Sequence, residues 1–150
     1  MSLKTVVVDA SLAIKWILDE PRSREARELL ADWTEAEVGM LAPELLAWEI
    51  GRALYERILR GELSIAEGRE ALQAVLETGP ELISDISSYG RALQLASMLA
   101  QTSLNEACYL ALAEHENCEC WTADERLWRN VSDSMPWVKW IGEQPETEQV

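Results

Sequence analysis

At 150 residues with 48% hydrophobic composition, the chain is long enough to bury a core and too apolar to be a disordered polymer. Its net charge of −14 excludes passive electrostatic binding to nucleic acid, which works by displacing counterions with Lys and Arg, although contact through a bound cation stays open. No apolar run approaches the roughly 20 residues that cross a bilayer, and the start at Met1 lacks a signal peptide's long apolar centre, so a cytoplasmic protein is expected.

In chain order, Lys4 to Val8 is rich in β-branched residues and reads as a buried strand ending at Asp9. Ser11 to Leu18 suits a short helix. Arg22 to Glu37 suits a longer one, with Ala26, Leu29, Leu30 and Trp33 on one stripe. Val38 to Ala42 is a second strand, and Pro43 fits the start of a helix that runs from Glu44 to Leu59 and stops at Gly61. Ser64 opens a helix to Thr78, broken by Gly79-Pro80, and Glu81 to Ser84 is a short strand. Helices follow over Tyr89 to Gln101 and Leu104 to Glu116. The centre of the second, Ala107 to Ala113, carries no charge and should be buried on most sides. Cys118 to Thr122 is a strand, Asp124 to Arg129 a helical turn, and Trp137 to Ile141 a last strand. Alternating strands and helices predict an α/β protein: three α/β/α layers around a mostly parallel central sheet. Residues 1–141 are expected to form one domain, with a polar, flexible tail over 142–150.

In such sheets, ligands bind beyond the carboxyl ends of the strands. Asp9 and Asp124 each directly follow a predicted strand, so the two acids belong on the same rim. Glu49 sits beside the inward-facing stripe of its helix, where a carboxylate is expensive to desolvate unless it is paired or bound to a metal. Glu106 stands at the mouth of the uncharged Ala107–Ala113 run. Each acid also has a purely structural reading. Asp9 suits a helix cap, and Ser103-x-x-Glu106 and Thr122-x-x-Glu125 both fit the capping box. That second box leaves Asp124 as a first-turn acid favoured by the helix dipole. Glu49 is within helical reach of Arg52 or Arg57. Cys108, Cys118 and Cys120 are an odd set in a chain expected in the cytosol, so no disulfide framework is expected. His115-x-x-Cys118-x-Cys120 matches no zinc spacing, and the thiols read as small buried groups.

Taken together, the acids resemble a known pattern. Val7-Val8-Asp9-Ala10-Ser11-Leu12-Ala13-Ile14-Lys15-Trp16 resembles the opening of PIN-domain proteins of the VapC toxin type. The stretch Ala42 to Leu54 resembles their second motif, with Glu49 at its acidic position; Asn105 to Glu114 resembles the third, and Thr122 to Leu127 the fourth. Order and spacing match over about residues 4–141. The resemblance implies a homodimeric ribonuclease that hydrolyses RNA to 5′-phosphate and 3′-hydroxyl ends, with a cognate antitoxin whose segment blocks the acidic groove. The net negative charge is compatible with a basic protein partner.

Crowded carboxylates repel one another, and a divalent ion relieves that repulsion; an all-oxygen ligand set suits Mg²⁺ or Mn²⁺. Asp9 and Asp124 are expected to anchor the ion, with Glu49 and Glu106 completing the shell directly or through water. Ser11 and Thr122 are candidates to position ligands or water, and equally fit as plain caps.

Two departures stand out: Glu106 occupies a position that is usually Asp in this family, and Arg52 one that is commonly Asn. Arg52, always protonated, could either neutralise Glu49 or hold a substrate phosphate. Two alternatives accompany the nuclease: a PIN-fold binding or scaffold protein that has lost cleavage, and an RNA-processing nuclease without an antitoxin. A phosphoacceptor receiver domain fits poorly with the long helix that carries Glu49.

Overall fold

The computed structural model describes residues 4–143. The chain alternates strands and helices: β1 (Thr5–Val8), α1 (Ala10–Ile17), α2 (Ser23–Glu35), β2 (Gly39–Pro43), α3 (Leu45–Leu59), α4 (Ile65–Thr78), β3 (Glu81–Ile83), α5 (Ser87–Met98), α6 (Leu104–Glu116), β4 (Glu119–Thr122), α7 (Glu125–Val131) and β5 (Val138–Trp140). The strands form one sheet in the order β3-β2-β1-β4-β5, parallel throughout, with helices layered on both faces.

β1 is the central strand. Val6, Val7 and Val8 are each fully buried, because a central parallel strand is covered on both faces and has no solvent side to alternate toward. Packed across β1, β2 and β4 lies α6, whose Ala107 and Tyr109 to Ala113 are buried, as its uncharged centre predicts. Among the described residues, no helix is long and apolar enough to cross a membrane.

Three local expectations are corrected. Pro43 does not open a helix. It is the last residue of β2, paired with Ile83 of β3, and α3 begins two residues later. Lacking an N–H, a proline is tolerated where a ladder stops. The fifth helix begins at Ser87 rather than Tyr89, because the Asp85 carboxylate accepts from Ser87 N and from the hydroxyls of Ser87 and Ser88. It ends at Met98, and Gln101, placed in helix by its pattern, has a left-handed backbone with φ 62°. The turn expected at Asp124 to Arg129 is a helix that runs to Val131. Of the tail 142–150 expected to be flexible, all but Gly142 and Glu143 lie outside the described residues.

Leu110 is fully buried at the centre of α6. Leu110→Ala should cost about 2–5 kcal/mol, the range for emptying a leucine site that can collapse only partly. Urea unfolding checks this through a lower midpoint at unchanged slope.

Candidate active site

Strand order reverses at β1: the chain leaves it to build β2 and β3 on one side, then returns to place β4 and β5 on the other. The crevice between the carboxyl ends of β1 and β4 is therefore the switch point where α/β sheets hold ligands. Asp9 follows β1 and Asp124 follows β4, so the acids flank this crevice.

Each caps the helix that leaves its strand. Asp9 accepts from Leu12 N at 3.1 Å, and Asp124 from Arg126 N at 2.9 Å and Leu127 N at 3.3 Å. The Thr122-x-x-Glu125 box does not form. Asp124 is itself the cap, while Glu125 pairs with Arg129. The Ser103-x-x-Glu106 box does form, with Glu106 Oε1 accepting from Ser103 N at 3.1 Å. Glu49 comes from the middle of α3, and its Oε1 accepts from the Tyr109 hydroxyl of α6 at 2.5 Å. All four acids line one cavity of about 220 Å³, together with Ser11, Ser103, Asn105 and Tyr109. Capping and convergence on the cavity are compatible, because three of the helix starts face the same rim.

Ser11 and Thr122 join the two strand ends. The Ser11 hydroxyl donates to Asp9 Oδ1 at 2.7 Å and accepts from Ala123 N at 3.0 Å. Thr122 Oγ1 lies 3.2 Å from Ser11 Oγ and accepts from Asp124 N at 3.0 Å. A serine hydroxyl carries one proton. With that proton committed to Asp9, Ser11 donates nothing to Thr122, whose own proton lies within reach of both Ser11 and Asp9.

Burial pushes the Asp9 carboxyl up to about 6, against the lowering effect of hydrogen bonds from Thr122, Ser11 and Leu12, and the nearby Asp124 carboxylate pushes the same way as burial. Burial, reinforced by the bond to Glu49, raises the Tyr109 phenol far above its ordinary value, so it stays a donor. Among the described residues, no Lys, Arg or His forms an ion pair with Asp9 or Glu49. Arg57, considered as a partner for Glu49, pairs with Glu20 and Glu62. Arg52 lines a different hollow with Ala47, Trp48, Gly51, Tyr55 and Leu72. His115 is exposed and lies 3.6 Å from Asp85, whereas Cys120 is fully buried.

Two residues escaped the sequence reading. Tyr109 carries the only polar tip within the uncharged stretch of α6, one turn beyond Glu106, which was its available signal. Arg126 places Nη2 2.8 Å from Glu106 Oε2 and 3.4 Å from Asp124 Oδ2. Its spacing two residues after Asp124 gave no such signal.

The donor set is entirely oxygen and includes a buried carboxylate without a cationic partner. Its chemistry fits a hard divalent cation such as Mg²⁺ or Mn²⁺. Among the described residues, however, no three Asp, Glu, His or Cys groups stand close enough together to close around an ion. The acids surround the cavity without meeting, as mutually repelling carboxylates do when hydroxyls and a guanidinium are their partners.

A PIN domain family model matches residues 6–133. A VapC ribonuclease of Mycobacterium bovis is 34% identical over 122 residues, 81% of this chain and 87% of that protein. Ribonuclease VapC9 of Mycobacterium tuberculosis matches with the same identity and coverage.

The raised Asp9 value fixes a sign. The folded state holds the Asp9 proton more tightly than the unfolded chain does, so stability from this group is present below about 3.8 and lost as pH rises through about 6. Asp9→Asn keeps a good cap and removes the buried charge. In chelator, the variant should be more stable than wild type above pH 6, by up to ~3 kcal/mol, with no gain at acid pH. Denaturant titrations at several pH values measure it. A difference that does not change with pH would show that Asp9 ionises without penalty.

Proposed function

The chain belongs to the PIN-domain family, and from that premise we propose that it is a divalent-metal-dependent endoribonuclease, the toxin of a VapC-type toxin–antitoxin pair. The observation that carries the reading is the convergence of Asp9, Glu49, Glu106 and Asp124 on one cavity at the switch point of the sheet, with Asp9 and Glu49 lacking any cationic partner among the described residues. In this reading residues 1–141 act as one nuclease domain. Asp9 and Asp124 hold the ion, and Glu49 and Glu106 complete its shell directly or through water.

When bound, Mg²⁺ or Mn²⁺ supplies activation of water and offsets charge developing on an RNA phosphodiester during hydrolysis. The protein's own groups orient that chemistry. Tyr109 fixes one oxygen of Glu49, a residue that lines the cavity. Ser11 fixes Asp9, and Thr122 tethers the main chain at Asp124. These are the hydrogen bonds that outer groups make to orient ligating carboxylates. The departure at Glu106 is consistent with its double duty. Its longer side chain lets one oxygen return to the Ser103 cap while the other faces outward from the helix start.

Arg52 was the feature that favoured a non-cleaving protein. Arg52 lines the hollow beside Trp48 and Tyr55 and forms no ion pair with Glu49 among the described residues, which supports the nuclease reading. A cognate antitoxin, a homodimer and a cytoplasmic address belong to the same proposal. Exposed apolar side chains support protein partners. Trp48 is 77% exposed on α3, and Ile86, Tyr89, Leu93 and Met98 stand exposed at the start of α5 and along it. Exposed apolar side chains grouped along one helix in this way mark association sites.

Glu49→Gln preserves the acceptor for Tyr109 and removes the charge. It should leave the fold unchanged and reduce Mn²⁺-dependent RNA cleavage at least ~100-fold, the upper end of what outer groups of a metal site contribute. Cleavage of a generic single-stranded RNA by purified protein, with and without chelator, measures this. Undiminished cleavage by the variant sinks the role of Glu49, and cleavage by wild type that persists in chelator sinks metal dependence.

A further inference from the structure

We propose that Arg126 is a built-in counter-cation of the acidic cavity, displaced when a divalent ion binds. This rests on reading the cavity as a metal centre, and it concerns a residue to which that reading gives no part.

Arg126 is the second residue of α7. Its Nη2 donates to Glu106 Oε2 at 2.8 Å and lies 3.4 Å from Asp124 Oδ2, while Nη1 donates to the Gln101 carbonyl at 2.8 Å. One guanidinium thus touches the α5–α6 loop, the first turn of α6 and the cap of its own helix. The loop is anchored independently. Asn130 Nδ2 donates to the Ala100 carbonyl and, at 2.9 Å, to Thr102 Oγ1. Gln101 sits between these anchors in a left-handed conformation that residues with a Cβ seldom adopt.

The carboxylate oxygens decide what this arrangement does. Glu106 Oε1 is taken by the Ser103 N–H, and Asp124 Oδ1 by the N–H groups of Arg126 and Leu127. The oxygens left for a cation are Glu106 Oε2 and Asp124 Oδ2, the two that Arg126 already faces. A divalent ion drawing on either one meets a fixed positive charge, and a guanidinium does not shed its proton. It has to move instead. The side chain is 51% exposed, and it borders an open hollow of about 520 Å³ that it shares with Gln101, Glu125, Arg129 and Asn130. Arg126 can therefore leave the acids without disturbing the core. Without an ion, it holds Glu106 and Asp124 against their mutual repulsion; with an ion bound, that role passes to the metal.

Calorimetric titration of the full chain with Mn²⁺ tests this, using wild type, Arg126→Gln, Arg126→Met as a second neutral variant that keeps the aliphatic stem, and Arg126→Lys. Removing the competing charge should lower the Kd for Mn²⁺ roughly two- to fivefold, the scale of half-exposed ion pairs. Arg126→Lys should stay nearer wild type than either neutral variant. In thermal unfolding, the rise in Tm on adding Mn²⁺ should be larger for the neutral variants, because they lose stability mainly in the ion-free state. Equal or weaker Mn²⁺ binding by both neutral variants, with normal binding by wild type, overturns this inference and leaves the proposed function standing. If wild type binds no Mn²⁺, both fall.

Discussion

Where β1 and β4 end, two strands side by side must each hand their chain to a helix, and each does so through an aspartate. A helix start exposes N–H groups that lack partners within the helix. Here carboxylate oxygens answer them: Asp9 for α1, Asp124 for α7, and Glu106 through the capping box of α6. Negative charge at a helix start is favoured by the helix dipole. Three acids can therefore gather on one rim at a cost the helices partly offset. Fold and site share these groups, and a change at any of them acts on both.

The compensation is uneven across the cavity. Glu106 and Asp124 face a guanidinium, so their charge is answered by charge. Asp9 and Glu49 are answered by the hydroxyls of Ser11 and Tyr109, which satisfy geometry and leave the charge in place. Burial then raises the Asp9 value in spite of its hydrogen bonds. The unmet negative charge is concentrated on the wall built by β1 and α3. That wall should attract a cation most strongly, while the α6–α7 wall already holds its own.

Much of this was legible in the residues. The Val6–Val8 run, the uncharged centre of α6 and the Ser103-x-x-Glu106 box each declared their place through periodicity or spacing. What was not legible was competition between local motifs of equal merit. Thr122-x-x-Glu125 and Asp124 both offered a cap for α7. Asp124 wins because Thr122 is the last residue of β4, and its hydroxyl is engaged with Ser11 and with Asp124 N. Ser11 comes from the first turn of α1, more than a hundred residues earlier in the chain, which no local pattern reveals. Tyr109 was equally hidden, since its hydroxyl has meaning only once α3 brings Glu49 opposite.

The two arginines show why sequence distance misleads about charge at a rim. Arg52 follows Glu49 by three residues, a spacing that usually makes helical neighbours. The buried stripe of α3 is Leu46, Ile50 and Leu54. At 3.6 residues per turn, Glu49 points about 100° from the centre of that stripe and Arg52 about 160°. Glu49 therefore sits at the edge of the packed face, where it reaches Tyr109, and Arg52 is carried round to solvent. Arg126 lies two residues beyond Asp124, across a helix start where the main chain turns back toward its cap. That turn brings its side chain over Asp124 and onto Glu106, a residue 20 positions away. A cation just past a strand end can thus sit closer to an acidic rim than one a single turn along the helix that bears the acid.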